Sequence, residues 1–388
     1  MFVGNLSFIK FSCEHQYAII GTSIPVDENT FMEKFFIVGC PRSGTTMLQQ
    51  ALNRHSRIAI PPETKLFFSF FGHSRDCQTQ HLERLEADLK IELPRLATRI
   101  GTVADSRAFY ELMARRYVER LTGKDIVYFG EKTPEHTGHI HRIRRLFPQA
   151  KILVLYRDGR DVALSMTKMP WASPNLYVNF LVWLYYLRHV QKARRTSAKS
   201  MYFLRYEDVV ANPEKVLGNL LTFLGLPYES AVVRGWGNRE GIPEREYPWK
   251  GRALEKITAE RAGAFHGELS LEQIAILERL GRCSLSFLGY RLVTDGRRPL
   301  PLALLGNISC SVAQFLNRLP WHSIVNECFG RSFLCCSRTR CTAFFQPLVV
   351  QSLFPRWLCR FGMAFAPFPR KTQRFQRLPA ETTDERGG

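Results

Sequence analysis

The sequence predicts an α/β fold in which helices cover both faces of a central, mostly parallel sheet. Three apolar, β-rich runs alternate with helical patterns: "FFIVG" at 35–39, "KILVLY" at 151–156 and "MYFLRY" at 201–206. Continuous apolar runs are typical of strands that are buried on both faces, as in parallel sheets. With 388 residues, 45% of them hydrophobic, the chain is long enough to bury such a core.

Helices are predicted between and after these strands. Residues 105–121 repeat apolar side chains at helical spacing, and Asp105 is a residue type that favours an N-cap. Residues 213–224 begin with proline and are followed by glycine, which are start and stop signals for a helix. The apolar segment 176–187 is too short to span a membrane and indicates a buried amphipathic helix. We interpret the stretch before residue 125 as a helical insertion over the functional site.

Composition divides the chain into three parts. We predict an N-terminal extension at 1–34, one domain at 35–290, and a basic, cysteine-containing tail at 291–388 that is poorly ordered or peripheral. The formal net charge is +19, and the tail contributes 14 Lys and Arg against 5 Asp and Glu. Such an excess favours anionic partners. The tail lacks the pattern of any nucleic-acid-binding module, so no nucleic-acid partner is predicted.

The expected setting is reducing and cytoplasmic. Ten cysteines are too few for a disulfide scaffold in a chain of this length, and the first 34 residues lack the pattern of a secretory signal. The arginine and aromatic residues of 348–368 suit peripheral contact with an anionic membrane, although an extension without function fits them equally well. The sequence carries no indication of the oligomeric state.

A glycine-rich turn between the first strand and its helix is the clearest chemical signal. Gly39 and Gly44 bracket four residues, as in the G-x-x-x-x-G-K-[ST] phosphate loop, but Thr45 replaces the lysine and Thr46 takes the hydroxyl position. Amides at a helix start bind anions without that lysine. Arg42 adds a forked guanidinium, which suits phosphate or sulfate. The missing lysine argues against an ATPase or kinase.

The segment "PRSGTT" (41–46) resembles the 5'-phosphosulfate loop of sulfotransferases that use 3'-phosphoadenosine 5'-phosphosulfate (PAPS). The resemblance implies a three-layer sandwich like that of P-loop nucleotide kinases. It also implies that the 5'-phosphosulfate is held by Arg42, Ser43, Gly44, Thr45 and Thr46.

Arg157 ends the second strand and Ser165 lies about two turns along the next helix, so both can reach one small anion. They match the family's 3'-phosphate site. The alternative is that the charges of "RDGRD" (157–161) form a salt-bridged helix start.

Two further motifs are similar to family segments. In "GEKTPEH" (130–136), Lys132 is expected on a loop ahead of a proline-started helix, where it would stabilise the leaving oxygen together with Arg42. A solvated surface lysine is the alternative. In "PPETKLFF" (61–68), Glu63 corresponds to the glutamate base of the tyrosylprotein sulfotransferases and would take the acceptor proton. A local cap or salt bridge is the alternative for Glu63.

The C-terminal part of the domain, 247–290, resembles the bacterial branch of the family. There Lys250, Gly251 and Arg252 would reach the 3'-phosphate. Trp249 either covers the adenine or belongs to the core. Tyr206 either contacts the cofactor or packs as an ordinary core tyrosine.

The sequence therefore predicts an enzyme that moves a sulfuryl group from PAPS, leaving PAP, to a hydroxyl acceptor by in-line displacement. The acceptor can be a glycan, a tyrosine or a small molecule. No metal is required, because arginine and lysine can neutralise the charge, and "HTGHIH" (136–141) lacks a complete ligand set, although His136 could line the acceptor cleft. The alternatives are a P-loop kinase or ATPase, and a catalytically silent nucleotide-binding protein of the same fold.

Overall fold

The computed structural model describes residues 32–71, 75–93, 103–121, 125–234, 237 and 239–294. The predicted extension at 1–34 and tail at 291–388 lie outside these residues, apart from 32–34 and 291–294. Both predictions therefore stay predictions.

Five parallel strands form the sheet of the described residues, in the order β2-β3-β1-β4-β5. The strands are β1 (Glu33–Val38), β2 (Ile58–Ala59), β3 (Tyr128–Lys132), β4 (Lys151–Tyr156) and β5 (Met201–Arg205). This topology confirms the predicted parallel α/β sheet. The central position of β1 places the glycine-rich turn at the middle of one sheet edge.

The strands are connected by helices, most of them short. They are α1 (Thr45–Asn53), α2 (Arg75–Leu89), α3 (Val103–Arg120), α4 (Ile140–Leu146), α5 (Gly159–Thr167), α6 (Leu176–Ser197), α7 (Tyr206–Ala211), α8 (Pro213–Leu224), α9 (Ala231–Arg234), α10 (Tyr247–Lys250), α11 (Phe265–Glu268) and α12 (Leu271–Phe287). Short 3-10 and π turns link several of them. The predicted helix at 213–224 has the bounds of α8. None of the described helices is both long and apolar enough to cross a membrane.

The two faces of the sheet bury separate hydrophobic clusters. Phe36 and Val38 lie in one cluster, and Phe35 and Ile37 lie in the other, because successive side chains of a strand point to opposite faces. On the first face, the ring centroid of Tyr110 from α3 lies 5.9 Å from that of Phe36. Helices α1 and α8 cover the second face. These layers confirm the predicted three-layer sandwich.

Two local predictions were wrong. Helix α3 begins at Val103, so Asp105 lies inside the helix and not at its N-cap position. The apolar residues of α3 enter the main core cluster, and the predicted insertion over the site stays a prediction. Lys132 was expected on a loop but is the last residue of β3, which pairs with β1 despite its polar sequence.

Candidate active site

The glycine-rich segment makes a tight turn between β1 and α1. Gly39 approaches β4 so closely that a Cβ there would lie 2.2 Å from the carbonyl oxygen of Leu155. Arg42, with φ of 70°, and Gly44, with φ of 95°, adopt left-handed backbone. Helix α1 then begins at Thr45, and the first amides of a helix have no acceptor within it. A turn of this geometry binds phosphate or sulfate groups.

Arg42 and Arg157 belong to one site. Arg157 donates from Nη1 to the carbonyl oxygen of Arg42 at 3.3 Å. Arg42 donates from Nε to Ser165 Oγ at 3.1 Å and from Nη1 to the carbonyl oxygen of Trp249 at 3.0 Å. Burial, together with the charges of Arg157 and Arg252, lowers the pKa of Arg42 to about 10. The loop and the second predicted anion site therefore form one cationic region.

The guanidinium of Arg157 is held from several sides. Its Cζ lies 4.4 Å from the ring centroid of Tyr206, and it pairs with Asp161 at 3.4 Å. Its Nη2 donates to the carbonyl oxygen of Arg261. Tyr206 also packs against the glycine-rich turn, where a Cβ on Gly44 would lie 2.6 Å from Tyr206 Cδ2. Tyr206 therefore fixes the position of Arg157 relative to the turn.

Glu63 and Lys132 meet beside Thr46. Lys132 is fully buried and donates to Glu63 Oε1 and, at 3.2 Å, to Thr46 Oγ1. Lys250 donates to the same Glu63 oxygen at 2.6 Å and also pairs with Glu246. One carboxylate oxygen thus binds two ammonium groups, and one of these groups also contacts the loop.

The charges of this cluster shift one another's pKa values. Burial favours the neutral acid, but the ammonium groups of Lys132 and Lys250 hold the pKa of Glu63 well below its usual range. Burial lowers the pKa of Lys132 to about 8, although the Glu63 carboxylate opposes the change. Burial also disfavours the charge on Lys250, yet Glu63 and Glu246 raise its pKa. At neutral pH Glu63 is ionised and can accept a proton.

A family model described as the Sulfotransferase family matches residues 34–230, about half of the chain. The chain belongs to the sulfotransferase family. Protein-tyrosine sulfotransferase 1 of Danio rerio is 27% identical over 216 residues, which cover 54% of this chain and 58% of that protein. Nodulation protein NoeE of Sinorhizobium fredii is 28% identical over 140 residues, 36% of this chain and 32% of that protein. The match thus spans less than two thirds of these curated relatives.

A solved sulfotransferase domain from the curacin biosynthetic pathway has a similar fold. It superposes with a TM-score of 0.50 and 20% sequence identity, covering 68% of this chain and 99% of that domain. At this identity the likeness shows the fold alone. The family assignment confirms the resemblance inferred from the sequence motifs.

Most residues predicted for the site of this sulfotransferase-family chain lie together. The turn contains Arg42, Ser43, Gly44, Thr45 and Thr46, and the contacts above connect it to Arg157, Ser165, Tyr206, Lys132 and Glu63. Arg252 is exposed but close enough to affect Arg42. Gly251 follows α10, with no atom within 4 Å of the position its Cβ would take.

Two other predicted residues, Lys250 and His136, have different surroundings from those expected, and Trp249 is half-buried. Lys250 was assigned to the 3'-phosphate but bonds to Glu63, because α10 brings its ammonium group to that carboxylate. Trp249 contributes its carbonyl oxygen to Arg42. His136 is 1% exposed and accepts a hydrogen bond from the amide of Phe67, so it belongs to the core.

The sequence analysis did not identify several residues that support the site. Glu131 lies beside Lys132 in the same quoted motif, which was a usable signal. Glu246 lies four residues before Lys250, the spacing at which opposite charges pair on a helix. Arg261 contributes only a backbone oxygen, and no sequence pattern predicts such a contact.

Proposed function

We propose that the protein is a sulfotransferase that transfers the sulfuryl group of PAPS to a hydroxyl acceptor. One observation carries this proposal: a single glycine-rich turn brings together two arginines and the Glu63–Lys132 pair. Arg42 lies within the turn, Arg157 bonds to its backbone, and Lys132 bonds to its Thr46 hydroxyl. A donor with an anionic group at each end suits such an arrangement.

The residues present fit this donor. The Ser43 hydroxyl is fully buried in the turn, and neither it nor Nε of Arg157 has a hydrogen-bond partner within the described residues. Buried polar groups rarely lack a partner in a folded protein, so both groups favour a polar ligand at the turn.

We assign the 5'-phosphosulfate to the turn, Arg42 to Thr46. The 3'-phosphate is assigned to Arg157 and Ser165, with Arg252 at the rim. Lys250 is placed with Glu63 in this proposal, since that is its contact. When bound, PAPS supplies the sulfuryl group.

Glu63 takes the proton of the acceptor hydroxyl. Its depressed pKa makes it a weak base while Lys132 and Lys250 both bind it. Lys132 also contacts Thr46 of the turn, so an anion at the turn competes with Glu63 for this ammonium group. That competition raises the basicity of Glu63 only when the turn is filled, and it places positive charge where the leaving oxygen develops negative charge.

Transfer proceeds by in-line displacement, without a covalent bond to the enzyme. The acceptor class stays open among a glycan, a tyrosine side chain and a small molecule. The curated relatives include protein-tyrosine sulfotransferases, which makes a tyrosine-containing peptide a reasonable first acceptor to assay.

Calorimetry with PAP and with ATP plus Mg²⁺ tests the proposal. We expect PAP to bind and ATP, which lacks a 3'-phosphate, to bind at least about tenfold more weakly, the equivalent of one charge-assisted hydrogen bond. Adenosine 5'-phosphosulfate, the donor without its 3'-phosphate, serves as the matched control. Tight binding of ATP without binding of PAP would favour a kinase or ATPase and overturn the proposal.

A further inference from the structure

Next to the Glu63–Lys132 pair lies a buried carboxylate that the proposed mechanism does not use. Glu131 has no exposed surface, and its Oε1 accepts hydrogen bonds from the hydroxyl of Thr64 and, at 3.3 Å, from the hydroxyl of Thr133. Thr64 lies in the loop that carries Glu63, and Thr133 directly follows the end of β3.

His136 is a third partner of this carboxylate. Its Nδ1 lies 3.2 Å from Glu131 Oε1, and its Nε2 accepts the amide hydrogen of Phe67 at 3.2 Å. Since Nε2 is an acceptor, the ring proton is on Nδ1 and is donated to Glu131. Burial lowers the pKa of His136 well below its usual value, so the ring is neutral. Glu131 therefore connects strand β3 to both ends of the segment 64–67.

Two of these residues are chain neighbours of the proposed acid-base pair. Thr64 directly follows Glu63, and Glu131 directly precedes Lys132. The Thr64–Glu131 bond thus joins the backbone that carries the base to the strand that carries the cation. The next residue, Lys65, has a left-handed φ of 54° and donates its amide to Thr133 Oγ1 at 3.3 Å. The loop is therefore held in a conformation that non-glycine residues seldom adopt.

We propose that Glu131 is a positioning residue that, through the Thr64 hydroxyl, sets the separation and orientation of Glu63 and Lys132. A buried carboxylate without a cationic partner is costly, and burial raises the pKa of Glu131 to about 7. What the carboxylate adds is a directional acceptor that joins Thr64, beside Glu63, to the strand end beside Lys132, while Tyr110 of α3 and His136 contact the same carboxylate.

The inference depends on the proposed function, and a pair of Thr64 variants tests it. Thr64→Val keeps the shape of the side chain but removes the donor, whereas Thr64→Ser keeps the hydroxyl. Three readouts are compared in the full chain: PAP affinity by calorimetry, conversion of PAPS to PAP with water as the acceptor, and the Glu63–Lys132 separation in a crystal structure of each variant.

We expect Thr64→Val to lower kcat by about tenfold to a hundredfold, as a misplacement of about 1 Å does, and to separate Glu63 from Lys132. PAP affinity should not change, and Thr64→Ser should restore the rate and the separation. Glu131→Gln should fall between the two, because its amide oxygen can still accept the Thr64 hydrogen bond but without the charge of the carboxylate.

Two outcomes would overturn the inference: equal kcat for Thr64→Val and Thr64→Ser, or an unaltered Glu63–Lys132 separation in Thr64→Val. A wild-type protein that fails to bind PAP would instead contradict the proposed function. The calorimetric readout thus separates the two failures.

Discussion

At the scale of single residues, Glu63 is the group whose chemistry is easiest to isolate. Glu63→Gln keeps the shape of the side chain but removes the base. We expect acceptor sulfation to fall by about 10²–10⁴-fold, the usual contribution of a general base. PAP affinity should not fall, because the hydrogen bonds of Glu63 go to two lysines, and the loss of its charge leaves Lys132 free to attract an anion at the turn.

The matched control for this change is Glu244→Gln, at an exposed glutamate of the neighbouring 3-10 turn. Sulfation rates measured with labelled PAPS should be the same for this variant and the wild type. Background sulfation that is identical in Glu63→Gln and wild type would support a catalytically silent binding protein.

Arg157 should affect the binding of the donor, whereas Glu63 should affect the rate of transfer. Arg157→Ala removes a charge-assisted contact, which is worth about 1.5–3 kcal/mol, so PAP should bind more than about tenfold more weakly by calorimetry. Arg205→Ala is the control, because Arg205 ends the adjacent strand and stacks on Tyr290 at 4.5 Å. Equal affinities for the two variants would remove Arg157 from the donor site.

The loss of the Lys132 proton should produce an alkaline limb in the pH profile of kcat/KM. The pKa of this lysine is lowered to about 8 by burial, and the charged form is the one that neutralises the leaving oxygen. The value of kcat/KM should therefore fall as pH rises through about 8, by tenfold per unit once the proton is lost. In Lys132→Arg the guanidinium stays charged, so this limb should disappear. A limb that persists in Lys132→Arg must come from another group.

At the scale of elements, the turn between β1 and α1 depends on the absence of a side chain at Gly44. Gly44→Ala would place a Cβ 2.6 Å from Tyr206 in left-handed backbone, and the backbone alone costs about 1–2 kcal/mol. We expect a lower melting temperature and a loss of PAP binding, measured by thermal unfolding and calorimetry.

Gly138→Ala is the control for this substitution. Gly138 lies in the 3-10 helix Pro134–His139, and no atom lies within 4 Å of the position its Cβ would take. It should leave both measurements unchanged. A similar loss in both variants would mean that any added methyl group disturbs the site region.

Sequence patterns predicted the elements whose signals are local. The apolar run of β4, the proline and glycine that bound α8 and the glycine spacing of the turn each act within a few residues, so they could be recognised without the fold. Strand β3, with the sequence "YFGEK", carries no apolar alternation. It is a strand because it pairs with β1, and this tertiary contact overrides local propensity.

The same distinction explains which site residues were predicted. Arg42, Arg157 and Glu63 lie in recognisable motifs. The bond between Lys250 and Glu63 joins residues 187 positions apart. No local sequence pattern indicates that these two residues are in contact. The hydrogen bonds of Glu131 could not be predicted either, since its partner Thr64 lies 67 positions away.

At the scale of the whole molecule, the site depends on the strand order. Strands β3, β1 and β4 are neighbours in a parallel sheet, so their carboxyl ends meet at one edge. Lys132 ends β3, the glycine-rich turn follows β1, and Arg157 follows β4. Three segments that are distant in sequence therefore supply adjacent cations.

Helix α12 is tied to this edge by a buried ion pair. Glu278 is 1% exposed and accepts hydrogen bonds from Arg160, from the amide of Val293 at 2.8 Å and from the hydroxyl of Thr294 at 2.6 Å. Arg160 also pairs with Asp158 at 2.7 Å. Arg160 lies three residues after Arg157, so α12 supports the segment that carries the proposed 3'-phosphate site.

Glu278→Ala should therefore weaken both the fold and the site. Removing one partner of a buried pair costs about 3–5 kcal/mol, and we expect the free energy of unfolding, measured by chemical denaturation, to fall toward that range. PAP affinity should fall too, because the start of α5 follows Arg157 directly. The control is Glu272→Ala in the exposed first turn of α12, which should cost less than about 1 kcal/mol through the helix dipole. Equal losses of stability in the two variants would show that Glu278 is no more than an ordinary helix residue. An unchanged PAP affinity in Glu278→Ala would show that α12 does not support the proposed anion site.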